Sequence, residues 1–131
     1  MKQIYLKNTQ SKGRGVFAGE DIKSGDLIEK CCLIPVTVKP DELGSLYDYV
    51  FNYPKDGKFQ VYVLPLGAGC IYNHDDNNNA IWSDAKEYMM FDYIAVKDIK
   101  KDEEICTHYG DDYWIQMMLR NPKMKKITNN Q

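Results

Sequence analysis

The chain has 131 residues, 44% of them hydrophobic, 12% aromatic and 27% charged, with a formal net charge of −2. That suits one globular domain with a modest core and is too short for two, and no apolar run approaches the roughly 20 residues of a membrane-spanning helix. The charge is uneven: residues 73–113 carry eleven acidic and four basic side chains, whereas 114–131 carry four basic and no acidic ones, so the central region favours a basic peptide partner over the phosphates of nucleic acid.

Residues 1–39 read as short strands broken by turns. Gly13-Arg14-Gly15 separates the first two, and Lys23-Ser24-Gly25-Asp26 marks a second turn. The run 27–38 is rich in apolar and β-branched residues and predicts a long strand. Pro40-Asp41-Glu42 has the composition of a helix start, and Leu43, Leu46, Tyr47 and Val50 fit one helical face. A turn over 54–58 leads to a strand over 59–64. Gly67-Ala68-Gly69 then opens a short apolar run, Cys70-Ile71-Tyr72, followed by a polar loop over 73–79. Residues 89–96 predict another strand, 100–103 a turn, 105–109 an extended segment, and 111–119 a terminal helix with Asp111 as N-cap. Many short strands with few helices make the chain mainly β.

The cysteines, at 31, 32, 70 and 106, form no C-x-x-C pair, which argues against a structural zinc cluster. With no apolar signal segment in MKQIYLKNTQ, reduced thiols in an intracellular protein are expected. Three pieces carry chemistry. Gly13-Arg14-Gly15-Val16-Phe17 lets the backbone approach a ligand closely. Tyr72-Asn73-His74, followed by Asn79-Ala80, offers polar groups on a loop, although Asn73 fits an Asx turn and His74 a satisfied core histidine equally well. The calcium-loop pattern beginning at Asp75 fails, because Ala80 stands at its glycine position and Lys86 at its glutamate position. His74 and His108 with nearby acids show no metal-ligand spacing, so no metal is expected. The third piece runs from Glu103-Glu104-Ile105 to Tyr109-Gly110, then Asp111-Asp112-Tyr113-Trp114.

In order and spacing, G-x-G-V-F, N-H before N-A, and E-E-I-x-x-x-Y-G resemble the SET domain, from about residue 4 to Trp114. The string 109–114 looks most like the minimal viral branch of that family, of the chlorella-virus type. The resemblance implies small curved β-sheets around a knot-like core, in which the C-terminal segment passes under a loop and sets the N-H loop beside the Tyr-Gly corner. Residues 1–116 would form a single domain and 117–131 a basic tail. It further implies a protein-lysine N-methyltransferase using S-adenosylmethionine, acting on a basic lysine-containing tail such as that of a histone, in the nucleus if so. Tyr109 would be catalytic. Gly13, Arg14, Gly15, Asn73, His74 and Trp114, with Tyr113 close by, would meet the cofactor; Tyr49, Tyr72 and Thr107 would line the substrate channel. The small Thr107 implies room for di- or trimethylation. The loop after His74 lacks the family's usual Ser and Pro, His108 stands where relatives often carry Asp, and no cysteine-rich segment follows Trp114. The tail or a second subunit would then cover the site, so a homodimer is expected. The rival reading is a non-catalytic SET-like module that binds a basic peptide.

Overall fold

The computed structural model describes residues 1–57 and 59–110. The helix expected over 111–119, Tyr113, Trp114 and the tail lie outside them. Two sheets share one core. The first is built from β1 (Ile4–Asn8), β2 (Arg14–Ala18), β6 (Asn73–His74) and β9 (Glu104–Thr107), in the order β1-β2-β9-β6. The second contains β3 (Leu27–Val36), β4 (Phe51–Tyr53), β5 (Val61–Pro65), β7 (Ala80–Asp84) and β8 (Met90–Ala95), in the order β4-β5-β3-β8-β7. Their facing residues form a continuous cluster that includes Val16, Ile28, Leu33, Val63, Phe91, Tyr93 and Ile105. Each fully buried aliphatic or aromatic side chain of this kind contributes about 1.5–3 kcal/mol.

The central strands follow from period-two burial. In β8 Phe91, Tyr93 and Ala95 face inward while the residues between them are only partly covered. In β3, Glu29, Cys31 and Leu33 alternate inward. A bulge between Leu27 and Glu29 adds Ile28 to the inward set, since the extra residue of a bulge resets the side-chain phase. Two successive side chains, one of them a carboxylate, therefore turn into the core.

The five-stranded sheet curls until its outer strands meet. Phe51 on β4 packs edge-on against Trp82 on β7, with centroids 4.9 Å apart. Just beyond β4, the Lys55 amide donates to both Asp84 carboxylate oxygens, and its ammonium donates to the Trp82 carbonyl at 2.6 Å while lying 4.2 Å from the ring centroid.

The expected helix after Pro40 does not form. Two 3₁₀ turns, Pro40–Glu42 and Gly44–Tyr49, stand there instead. Gly44 at φ +60 breaks the path, and the second turn buries no side chain, with Leu46 51% exposed. The strand expected from residue 59 begins at Val61, with Phe59 exposed. β4, β6 and β7 were not expected, and Arg14 and Gly15 belong to β2 rather than to the break before it.

Candidate active site

Strand β9 makes the site by passing between two other parts of the chain. On one side it pairs antiparallel with β2, and on the other parallel with β6, Asn73 opposite Cys106 and His74 opposite Thr107. Asn79 closes the passage. Its side-chain amide donates to the Glu104 carbonyl, its side-chain oxygen accepts from the Cys106 amide, and its own amide donates to the Cys106 carbonyl. This is the knot-like arrangement expected of the segment. It brings residues 73–79 against residues 104–109.

Tyr109 is thereby fixed at both ends. Its backbone amide donates to His74 Nδ1 at 2.9 Å, and its hydroxyl donates to the Tyr72 carbonyl at 2.6 Å. Because Nδ1 accepts, the His74 proton resides on Nε2, which donates to Asp76 Oδ1 at 2.6 Å. His108 repeats the pattern: Nδ1 accepts from the Gly110 amide, and Nε2 lies 3.6 Å from the same Asp76 oxygen. These three side chains bring potential metal ligands within 4.8 Å of one another. A cation bound to either Nε2 would require that nitrogen to give up its proton, which is incompatible with Nδ1 also accepting an amide. The cluster fits a hydrogen-bonded unit that aims Tyr109.

Asn73 joins the two halves of the first sheet. Its side-chain amide donates to the Arg14 carbonyl at 3.0 Å and to Glu104 Oε2 at 2.8 Å, while Glu104 Oε1 lies 3.7 Å from Lys12 Nζ. Gly15 leaves room for this arrangement, since a Cβ there would stand 2.6 Å from Glu104 Oε2 and 3.0 Å from Asn73 Nδ2. Gly13, at φ +72, has open space around the position of a side chain and accepts from both the amide and the hydroxyl of Thr9 through its carbonyl. Arg14 is exposed. The strand start at 13–15, Asn73, His74 and Tyr109 thus form one region, as the resemblance implied.

The expected channel residues fare differently. The Tyr72 ring is 2% exposed, stacked on Tyr93 at 4.6 Å, and its hydroxyl donates to Glu29 Oε1 at 2.7 Å. The ring expected to be a channel wall thus packs within the core cluster, and the Tyr72 carbonyl receives the Tyr109 hydroxyl. Thr107 is buried opposite His74. Tyr49 is exposed at the end of the second 3₁₀ turn, where its carbonyl meets the Cys70 thiol at 3.7 Å. Trp114 lies outside the described residues. Glu104, Asn79, Asp76 and Glu29 were assigned no role from sequence, although Glu104 belongs to the E-E-I string and Asn79 to the N-A pair.

The sequence pattern of the SET domain matches residues 13–110. A histone-lysine N-methyltransferase specific for lysine 37 of H3, from Schizosaccharomyces pombe, is 32% identical over 119 residues, covering 86% of this chain and 77% of the yeast protein. A crystal structure from Plasmodium falciparum, of a protein assigned as a histone methyltransferase, superposes with a TM-score of 0.70 at 30% identity. It covers 87% of this chain and 98% of the parasite protein's chain.

Proposed function

The chain belongs to the SET domain family, and on that premise we propose that it methylates a lysine in a basic protein tail, a histone tail first, with Tyr109 as the catalytic tyrosine. The protein is a protein-lysine N-methyltransferase. The observation that carries the proposal is the convergence on Tyr109: the hydroxyl on the Tyr72 carbonyl and the amide on His74.

S-adenosylmethionine, the cofactor of this family, would supply a methyl group on a positively charged sulfur. The region's chemistry fits such a cation, since the Arg14 and Tyr72 carbonyls, the Glu104 carboxylate and the Tyr109 hydroxyl oxygen are acceptors. Gly13, Arg14, Gly15, Asn73 and His74 would hold it, with Trp114 as the adenine partner. The work left to the chain is alignment and exclusion of water. Tyr109, held at two points, sets the position of the incoming amine. Losing a proton from a lysine of pKa ~10.4 costs about 4–5 kcal/mol at pH 7. Desolvation in an apolar channel and a neighbouring positive charge both lower that cost, so no general base is assigned. Tyr49, Tyr72 and Thr107 remain our candidates for the channel.

The yeast relative's name and the acidic character of residues 73–113 support a histone-type substrate, and nuclear action would follow from it. No helix among the described residues is long and apolar enough to cross a membrane. We further propose that residues 1–116 form the domain, that 117–131 form a basic tail, and that the chain is a homodimer of the viral type. Exposed Ile34 and Leu66 on the β3–β5 face support the last point. Light scattering on the purified chain tests it, and a monomeric mass at micromolar concentration would rule it out. The test of function is transfer of radiolabelled methyl groups to histones and to arrayed basic peptides, beside Tyr109→Phe. Incorporation into lysine that falls at least a hundredfold in the variant is expected. Full activity in the variant would remove Tyr109 from its role, and a chain that binds basic peptides without turnover would be the non-catalytic module instead.

A further inference from the structure

Glu29 is a buried carboxylate deep in the fold, 8% exposed, aimed inward next to the bulge in β3. Burying such a group costs several kcal/mol unless partners satisfy it. Beside the Cys31 thiol on its own strand, two of its partners belong to one short segment. Oε1 accepts from the Tyr72 hydroxyl at 2.7 Å, and Oε2 accepts from the Ala68 amide at 3.4 Å. The same oxygen lies so close to Gly67 that a Cβ there would approach to 2.8 Å. Across the sheet, Tyr93 pairs with Glu29 in register, stacks on the Tyr72 ring, and donates from its hydroxyl to the Gly69 carbonyl at 3.0 Å. Residues 67–72 are thus tied down at their start, middle and end. The carbonyl at the end of that segment is the one that receives the Tyr109 hydroxyl.

Resting on the assignment of Tyr109 as the catalytic tyrosine, we propose that Glu29 is a positioning residue for the methyl-transfer site, acting through Tyr72 to set the carbonyl that orients the Tyr109 hydroxyl. Burial and the neighbouring Glu29 carboxylate push the Tyr72 phenol far above its ordinary value, so it remains a donor at every working pH. The bulge serves this arrangement, since bulges near active sites commonly re-aim a side chain. A purely structural role has a different signature: removing the carboxylate leaves the buried Tyr72 hydroxyl and Ala68 amide without their acceptor, so stability falls and any loss of rate follows it.

That contrast supplies the test. Glu29→Leu, Glu29→Gln, Tyr72→Phe and Tyr109→Phe are compared with the wild type in kcat, in KM for S-adenosylmethionine and for peptide, and in Tm, at a temperature where circular dichroism shows each variant folded. Glu29→Leu and Tyr72→Phe are expected to lose about tenfold or more in kcat, with KM values within about twofold, because small misplacements at a reacting centre cost tens-fold in rate. Glu29→Gln, whose side-chain oxygen still accepts from Tyr72, should recover part of that loss. Glu29→Leu with an unchanged or higher Tm and an undiminished kcat would overturn the proposal, as would rate losses that merely track Tm. If Glu29→Leu does not fold, Tyr72→Phe decides in the same terms. An inactive Tyr109→Phe beside a fully active Tyr72→Phe defeats this proposal alone, whereas a fully active Tyr109→Phe defeats the assignment beneath it.

Discussion

Gly15→Ala probes the joint between the two halves of the first sheet. The added methyl would meet Glu104 Oε2 at 2.6 Å, Asn73 Nδ2 at 3.0 Å and Thr9 Cγ2 at 3.1 Å. The closest of these is the far end of a flexible side chain, so Glu104 will swing away rather than force the backbone apart. What is lost is the 2.8 Å hydrogen bond from the Asn73 amide and the looser 3.7 Å pairing with Lys12. A hydrogen bond to a charged group contributes roughly 1.5–3 kcal/mol. Glu104 keeps 20% of its side chain in solvent, which places the expected cost nearer 1–2 kcal/mol. For a domain of this size that lowers Tm by about 3–8 °C. A double-mutant cycle isolates the cause. In a Glu104→Ala background the methyl has no carboxylate to displace, so Gly15→Ala should cost less than about 0.5 kcal/mol by urea unfolding. Gly13→Ala is the control: space there is open but φ is +72, so its cost of about 1 kcal/mol is conformational and should be the same in both backgrounds. If Gly15→Ala is equally costly with and without Glu104, the packing argument is refuted.

On the proposed placing of Thr107 in the channel, mass spectrometry of the product peptide should show di- or trimethyl-lysine; a product that stops at one methyl would contradict this. Stability should decline on the alkaline side. Burial, reinforced by Glu104, pushes the Cys106 thiol up to about 12, and burial with Glu29 raises Cys31 strongly, whereas both ionise near 8.5 in the unfolded chain. The folded state therefore holds protons that the unfolded state releases, and stability present below about pH 8.5 is lost as pH rises toward 12, by up to about 1.4 kcal/mol per pH unit per thiol. Urea unfolding at pH 8 and pH 10 measures this, and an unchanged free energy would refute it. Exposed Cys32 should react first with iodoacetamide at pH 8, with buried Cys31 and Cys106 protected until unfolding; equal labelling of all three would contradict the burial described.

The long strands were legible because burial on one face of a strand leaves alternation in the sequence, as in β3 and β8. β6 was not, since two residues carry no period and its pairing with β9 is made across thirty residues of chain. The helix expected at 40–50 failed on a single backbone angle at Gly44, which apolar spacing does not encode. The meeting of His74 with Tyr109 came from family resemblance and not from periodicity, because passing a chain segment under a loop is rare among folds. The direction of the Tyr72 ring was illegible for a further reason. It depends on a buried acid more than forty residues earlier in the chain, next to a bulge that no local pattern announces.

The curl that brings Phe51 onto Trp82 also settles how the five-stranded sheet meets other molecules. An uncovered outer strand is a template on which a second polypeptide can add itself, the usual first step of sheet-to-sheet aggregation. Here the two rims shelter each other, and the Trp82 carbonyl, which would otherwise invite such an addition, is occupied by Lys55. The same contact takes one amine out of circulation: a lysine pinned between a carbonyl and an indole ring is a poor substrate for the enzyme that carries it.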